Sequence, residues 1–156
     1  MKYKLGALLL LFILPAPVFA TLGQPAASIR QDGILQTVPS QARSLAQALP
    51  SSVTTQTVRT AQGVLVKEYL NAGGIVFAIA WSGSAVPDLS QLMGDYFGIF
   101  HAALQNSHLP FKAPVMVNQT QLVVNMGGHM RAYFGSAYLP TLVPNGFDLA
   151  ILQGPI

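Results

Sequence analysis

From residue 53 onward, three runs rich in β-branched and aromatic residues follow one another, separated by glycine-bearing turns, and this succession constrains the fold more than any other feature. Residues 53–60 (VTTQTVRT) and 64–70 (VLVKEYL) flank Ala61-Gln62-Gly63. Three residues ending in glycine suit a hairpin whose last loop position is left-handed. Asn71-Ala72-Gly73-Gly74 then leads into 75–81 (IVFAIAW), which is apolar on both faces. Such a run reads as a central strand covered on two sides. The three runs together predict an antiparallel meander.

The clearest helix follows. Asp88, after Pro87, is a good N-cap, and Gln91 three residues on completes a capping box. Turning about 100° per residue from Leu89 brings Leu92, Met93, Tyr96, Phe100, Ala103 and Leu104 onto one apolar stripe. The stripe predicts a helix reaching about Asn106, packed on the sheet, with Pro110 forbidding much more. Two further strands, 121–126 and 129–134, surround Gly127-Gly128. Keeping the apolar residues on one face requires a three-residue loop at 126–128 that pairs Asn125 with His129. His129, Arg131 and Tyr133 then share the opposite, more polar face. The expected fold is α+β: an antiparallel sheet of about five strands, ordered meander, helix, hairpin, with one main helix packed on it.

Ahead of this domain the chain carries an export leader. Lys2 and Lys4 precede the apolar run Leu5 to Leu14, and Val18 and Ala20 are small enough for a signal peptidase to cut after Ala20. Two prolines interrupt the run well short of the roughly 20 apolar residues that a membrane span needs. The chain is therefore expected to be periplasmic or secreted, with no transmembrane segment after cleavage. It divides into a leader at 1–20, a Gln-, Ser-, Ala- and Pro-rich segment at 21–52 ordered in part, the α+β domain at 53–143 and an irregular tail at 144–156. Within 21–52, Ser40 to Leu49 has the signals of a short helix.

The composition closes off several chemistries. With no cysteine, disulfides, thiolate metal sites and thiol catalysis are excluded, as is a lipid-anchored lipoprotein. Lys2 and Lys4 supply two of the three net positive charges, so the exported part is near +1 and has no basic stripe for nucleic acid. Charged residues make up 8% of the chain, against about 25% in typical domains. A surface that poor in charge repels partners weakly and favours association.

Three stretches stand out together in order and spacing: Val66-Lys67-Glu68-Tyr69 running on to Val76–Trp81; Pro87-Asp88-Leu89 with Gln91-Leu92, Gly94 and Tyr96-Phe97; and Gly127-Gly128-His129-Met130-Arg131-Ala132-Tyr133 with Ala137-Tyr138-Leu139-Pro140. With the opening Leu22-Gly23, they resemble the bacterial family called Domain of Unknown Function 2844. The resemblance implies a small, exported protein with no established activity, so it carries over no catalytic residues. Where that family has a small polar residue before the two glycines, this chain has Met126.

Candidate chemistry is sparse. His101 and His108 are about 10.5 Å apart along a helix, too far to share an ion. Met126, His129 and Met130 are the residue types that select copper(I), but the expected register separates His129 from Met130, so no metal or cofactor is expected. Ser82-Gly83-Ser84 lacks a nucleophile elbow. Asn118-Gln119-Thr120 is a glycosylation sequon, without meaning in a bacterium. Glu68, His129, Arg131 and Tyr133 form the candidate binding cluster, with a hydrolase as the enzymatic alternative and a Glu68–Arg131 ion pair as the structural one. Gly94, Gly98 and Ala102, four residues apart and opposite the apolar stripe, form a candidate interface to be covered by residues 21–52, a second copy or a partner. The functional expectation is a non-catalytic exported binding or assembly module, with a protein partner or self-association.

Overall fold

The computed structural model describes residues 22–36, 49–107, 113–153 and 156. The expected leader and most of the short helix expected at Ser40–Leu49 lie outside these residues. Among the described residues, seven strands form an antiparallel sheet: β1 (Ile34–Leu35), β2 (Thr54–Arg59), β3 (Leu65–Leu70), β4 (Val76–Gly83), β5 (Val115–Asn118), β6 (Val123–His129) and β7 (Ala132–Tyr138). Their spatial order is β1-β2-β3-β4-β7-β6-β5. Between β4 and β5 run α1 (Leu89–Met93), a 3-10 turn (Gly94–Tyr96) and α2 (Phe97–Gln105).

The α+β architecture holds, but the sheet has seven strands rather than about five. Both additions are edges. β1 is two residues paired to Arg59 and Val58, too short to show any alternation. β5 is four residues beginning directly after Pro114, paired from Val115↔Met126 to Asn118↔Val123. The meander forms as its turn residues dictate: Gly63 is left-handed (φ +79°), and the Thr60 N–H donates to the Val64 carbonyl at 2.9 Å.

The hairpin differs from expectation in a way that matters for the site. Gly127 and Gly128 are not its turn; they lie inside β6, opposite Phe134 and Tyr133. The chain reverses at Met130-Arg131, beyond the His129↔Ala132 pair, with Arg131 left-handed (φ 67°). The glycines serve close approach: a Cβ on Gly128 would stand 2.2 Å from the Ala132 carbonyl oxygen. The ladder therefore needs glycine where the sequence suggests a loop.

The helix also departs from one continuous rod. It breaks at Gly94 (φ 47°, ψ −119°) and resumes after the 3-10 turn. Asp88 caps α1 as expected, accepting from the Ser90 N–H at 3.0 Å and the Gln91 N–H at 3.2 Å. Despite the break, Leu92, Met93 and Phe100 are buried on the sheet, with Leu89, Tyr96, Ala103 and Leu104 packed around them.

The sheet is covered on both sides, which explains why β4 is apolar on both faces. Val58, Val66, Ile79, Trp81, Val124 and Ala137 meet the helices. On the other face Tyr69, Phe77, Ala78 and Ala80 pack under Phe147 and Leu152 from the C-terminal segment. Phe77 and Phe147 meet edge to face with centroids 5.0 Å apart. The N-terminal segment joins the helix-side core, since Leu22 and Ile29 are fully buried. It is laced to neighbouring backbone: the Leu22 N–H donates to the Leu92 carbonyl at 3.0 Å and the Gly23 N–H to the Val76 carbonyl at 2.7 Å. No helix among the described residues is long and apolar enough to cross a membrane.

Candidate functional site

The four residues expected to cluster do not come together. Glu68 sits mid-way along β3, opposite Gln56 and Ile79, on the helix-side face and 1% exposed. His129 and Arg131 are exposed at the β6–β7 tip, with β4 and β7 between them and β3. The Glu68–Arg131 ion pair therefore does not form. Tyr133 pairs with Gly128 and His129 with Ala132, so the ladder alternates these two side chains rather than putting them on one face. The shift of the turn from Gly127-Gly128 to Met130-Arg131 is the reason.

At this tip the structure does form a groove of about 650 Å³, in which His129 and Tyr133 take part. Its other principal walls are Val86 from the loop after β4, Val115 at the start of β5, and Met126 and Met130. Gly127 and Gly128 carry no side chains to fill it. Two of its apolar side chains are well exposed, Met130 at 82% and Val86 at 41%. Its described lining contains no lysine, arginine, aspartate or glutamate. The groove therefore suits an apolar, uncharged group, with one imidazole and one phenol at hand for hydrogen bonds. Met126, His129 and Met130 border it together, and no group of three or more histidine or carboxylate ligands occurs among the described residues. The Ser82 hydroxyl donates to the Ile156 carbonyl at 3.2 Å.

A second polar centre lies at the other end of the sheet. The N-terminal 3-10 helix (Ala26–Gln31) ends at Asp32, whose N–H donates to the Ile29 carbonyl at 3.1 Å. Asp32 is buried against the Glu68 carboxyl and accepts from the Gln91 side-chain amide at 3.1 Å. Neither oxygen of Glu68 meets a hydrogen-bond donor among the described residues. Two carboxyls bond to each other only when one holds a proton, which reconciles their contact with the missing donor. Burial, and then the charge of Asp32, push Glu68 up to about 9, and burial raises Asp32 to about 6. A pocket of about 150 Å³ opens beside Asp32, with Thr60, Gln62, Asp88 and Gln91 around it.

The sequence carried half of this centre. Alternation along β3 puts Glu68 in line with Val64 and Val66, on the apolar face, which marks it as a buried acid. Asp32 gives no comparable signal, because its segment has no periodicity. The small-residue stripe is also altered. Gly94 stands at the helix break, so it does not continue the face of Gly98 and Ala102, which are exposed on α2. A Cβ on Gly98 would meet nothing within 4 Å, so residues 22–36 do not cover that face.

No curated protein and no solved structure matches the chain. One family model does, over residues 18–152, nearly the whole length. Its description is a protein of unknown function, DUF2844, and the chain belongs to that family.

Proposed function

We propose that this protein is an exported, non-catalytic binding module that receives an uncharged apolar segment of a partner protein in the groove at the β5, β6 and β7 end of its sheet. The observation that carries this reading is the exposure of Met130 and Val86 on a groove of about 650 Å³ whose described lining holds no lysine, arginine, aspartate or glutamate. Exposed apolar side chains gathered around a concavity of this size mark binding surfaces. The leader pattern of Lys2, Lys4, Leu5 to Leu14 and Ala20 supports export. The separation of Glu68 from His129 and Arg131 weighs against a hydrolase built on those three residues.

A short uncharged leucine-rich peptide is the probe, and the amide resonances of Val115, Gly127, Gly128 and Tyr133 are the readout. Saturable shifts confined to those residues are expected. Met130→Asp should weaken binding about tenfold or more, the equivalent of about 1.4 kcal/mol, with circular dichroism unchanged. An equal affinity in the folded variant, or no saturable shift in the wild type, overturns the reading.

A further inference from the structure

We propose that Asp32 and Glu68 form a proton-linked clasp: the two buried carboxyls share a proton, and its loss loosens the segment 22–36 from the sheet.

The geometry joins three separate pieces of chain. Glu68 belongs to β3, Asp32 to the end of the N-terminal 3-10 helix, and Gln91 to α1. Only Asp32 is held by a donated hydrogen bond, from Gln91. Glu68 is sealed from water, and its oxygens meet no donor among the described residues, so an ionised Glu68 has no compensation. Its cross-strand neighbours, Gln56 on β2 and Ile79 on β4, carry no charge. On α1 the facing polar group is Gln91, with Asp88 at the mouth of the adjoining pocket as one more negative charge. In the N-terminal segment Arg30 is exposed, and Lys67 and Arg59 alternate to the opposite face of the sheet. No cation among the described residues therefore offsets the pair, and a proton is the counter-charge that fits between two carboxyls already in contact.

The direction of the linkage follows. Both acids bind protons more tightly in the closed state than an exposed carboxyl does. The stabilisation is complete at acid pH and is lost as pH climbs from the ordinary carboxylate range towards about 9, the value for Glu68. On the reading that the chain is exported, the clasp faces the pH of the surroundings and tightens when they turn acid.

Trypsin cleavage after Arg30, in the clasped segment, reads the opening. The rate is corrected with a reference peptide for the protease's own pH dependence. In the wild-type protein, cutting at Arg30 should rise by up to about tenfold per pH unit from 7 to 9, because opening releases one proton. Cutting after Lys67 and Arg131 should stay slow. Glu68→Gln should flatten the pH dependence at Arg30, and Asp32→Asn should reduce it, so one folded variant suffices. Carbon-13 titration of the Glu68 carboxyl gives the second reading, expected to move only above about pH 8. Titration of Glu68 near 4.5, an Arg30 rate that rises equally in the folded variants, or a simultaneous rise at Lys67 and Arg131 would each overturn the clasp.

Discussion

The two ends of the sheet solve the same problem in opposite ways. At the β1–β3 end, the N-terminal segment closes over the sheet, buries Leu22 and Ile29, and seals two acids beneath it. At the β5–β7 end, Met130 and Val86 stay in solvent around a groove that two glycines help to line. The first end puts polar groups inside, and the second leaves apolar groups outside. Either inversion costs free energy, and both are signs that something besides stability shaped the surface. The closed end holds its inversion with a segment of its own chain. On the proposed function, the open end is where a partner from outside the chain would fit.

The contrast can be broken by mutation. Leu22→Ala should have the largest effect, about 3 kcal/mol in chemical denaturation, because it empties a fully buried site between sheet and helix. A loss under about 1 kcal/mol would mean that the N-terminal segment is not integral to the core. Gly135→Ala tests the seam between the two ends. A Cβ there would lie 2.4 Å from the Trp81 ring, which is itself fully buried, so a loss of about 2 kcal/mol is expected. Gly98→Ala on α2 should be the smallest change and of opposite sign, a gain of about 0.5–1 kcal/mol from helix propensity in open space. A loss at Gly98, or a smaller assembly by light scattering, would show that the exposed helix face is covered by a second copy.

Legibility from sequence followed the range of the interactions involved. The meander, the Gly63 turn and the Asp88 cap each depend on a few neighbouring residues, and all three were readable. Gly127-Gly128 was not, because a glycine pair has the same signature whether it turns the chain or lets a neighbouring strand pass close. β1 owes its existence to pairing with Arg59 and Val58 rather than to any preference of Ile34-Leu35. The alternation that puts Glu68 on the apolar face is present in the sequence, but the expected cluster grouped it with His129 and Arg131 instead, whereas its partner, 36 positions earlier, is set by tertiary packing alone. The groove depended on the misplaced turn: His129 and Tyr133 were named, Val86 and Val115 were not, and its shape was missed.

The position of Phe147 sets an order of assembly. Synthesis begins at the N-terminus, so all seven strands exist before Phe147 and Leu152 emerge to cover Tyr69, Phe77 and Ala80. Until then that side of the sheet is only partly covered, and the aromatic contacts that hold it are missing their third ring. The fold is thus completed by a segment that follows all of its described strands.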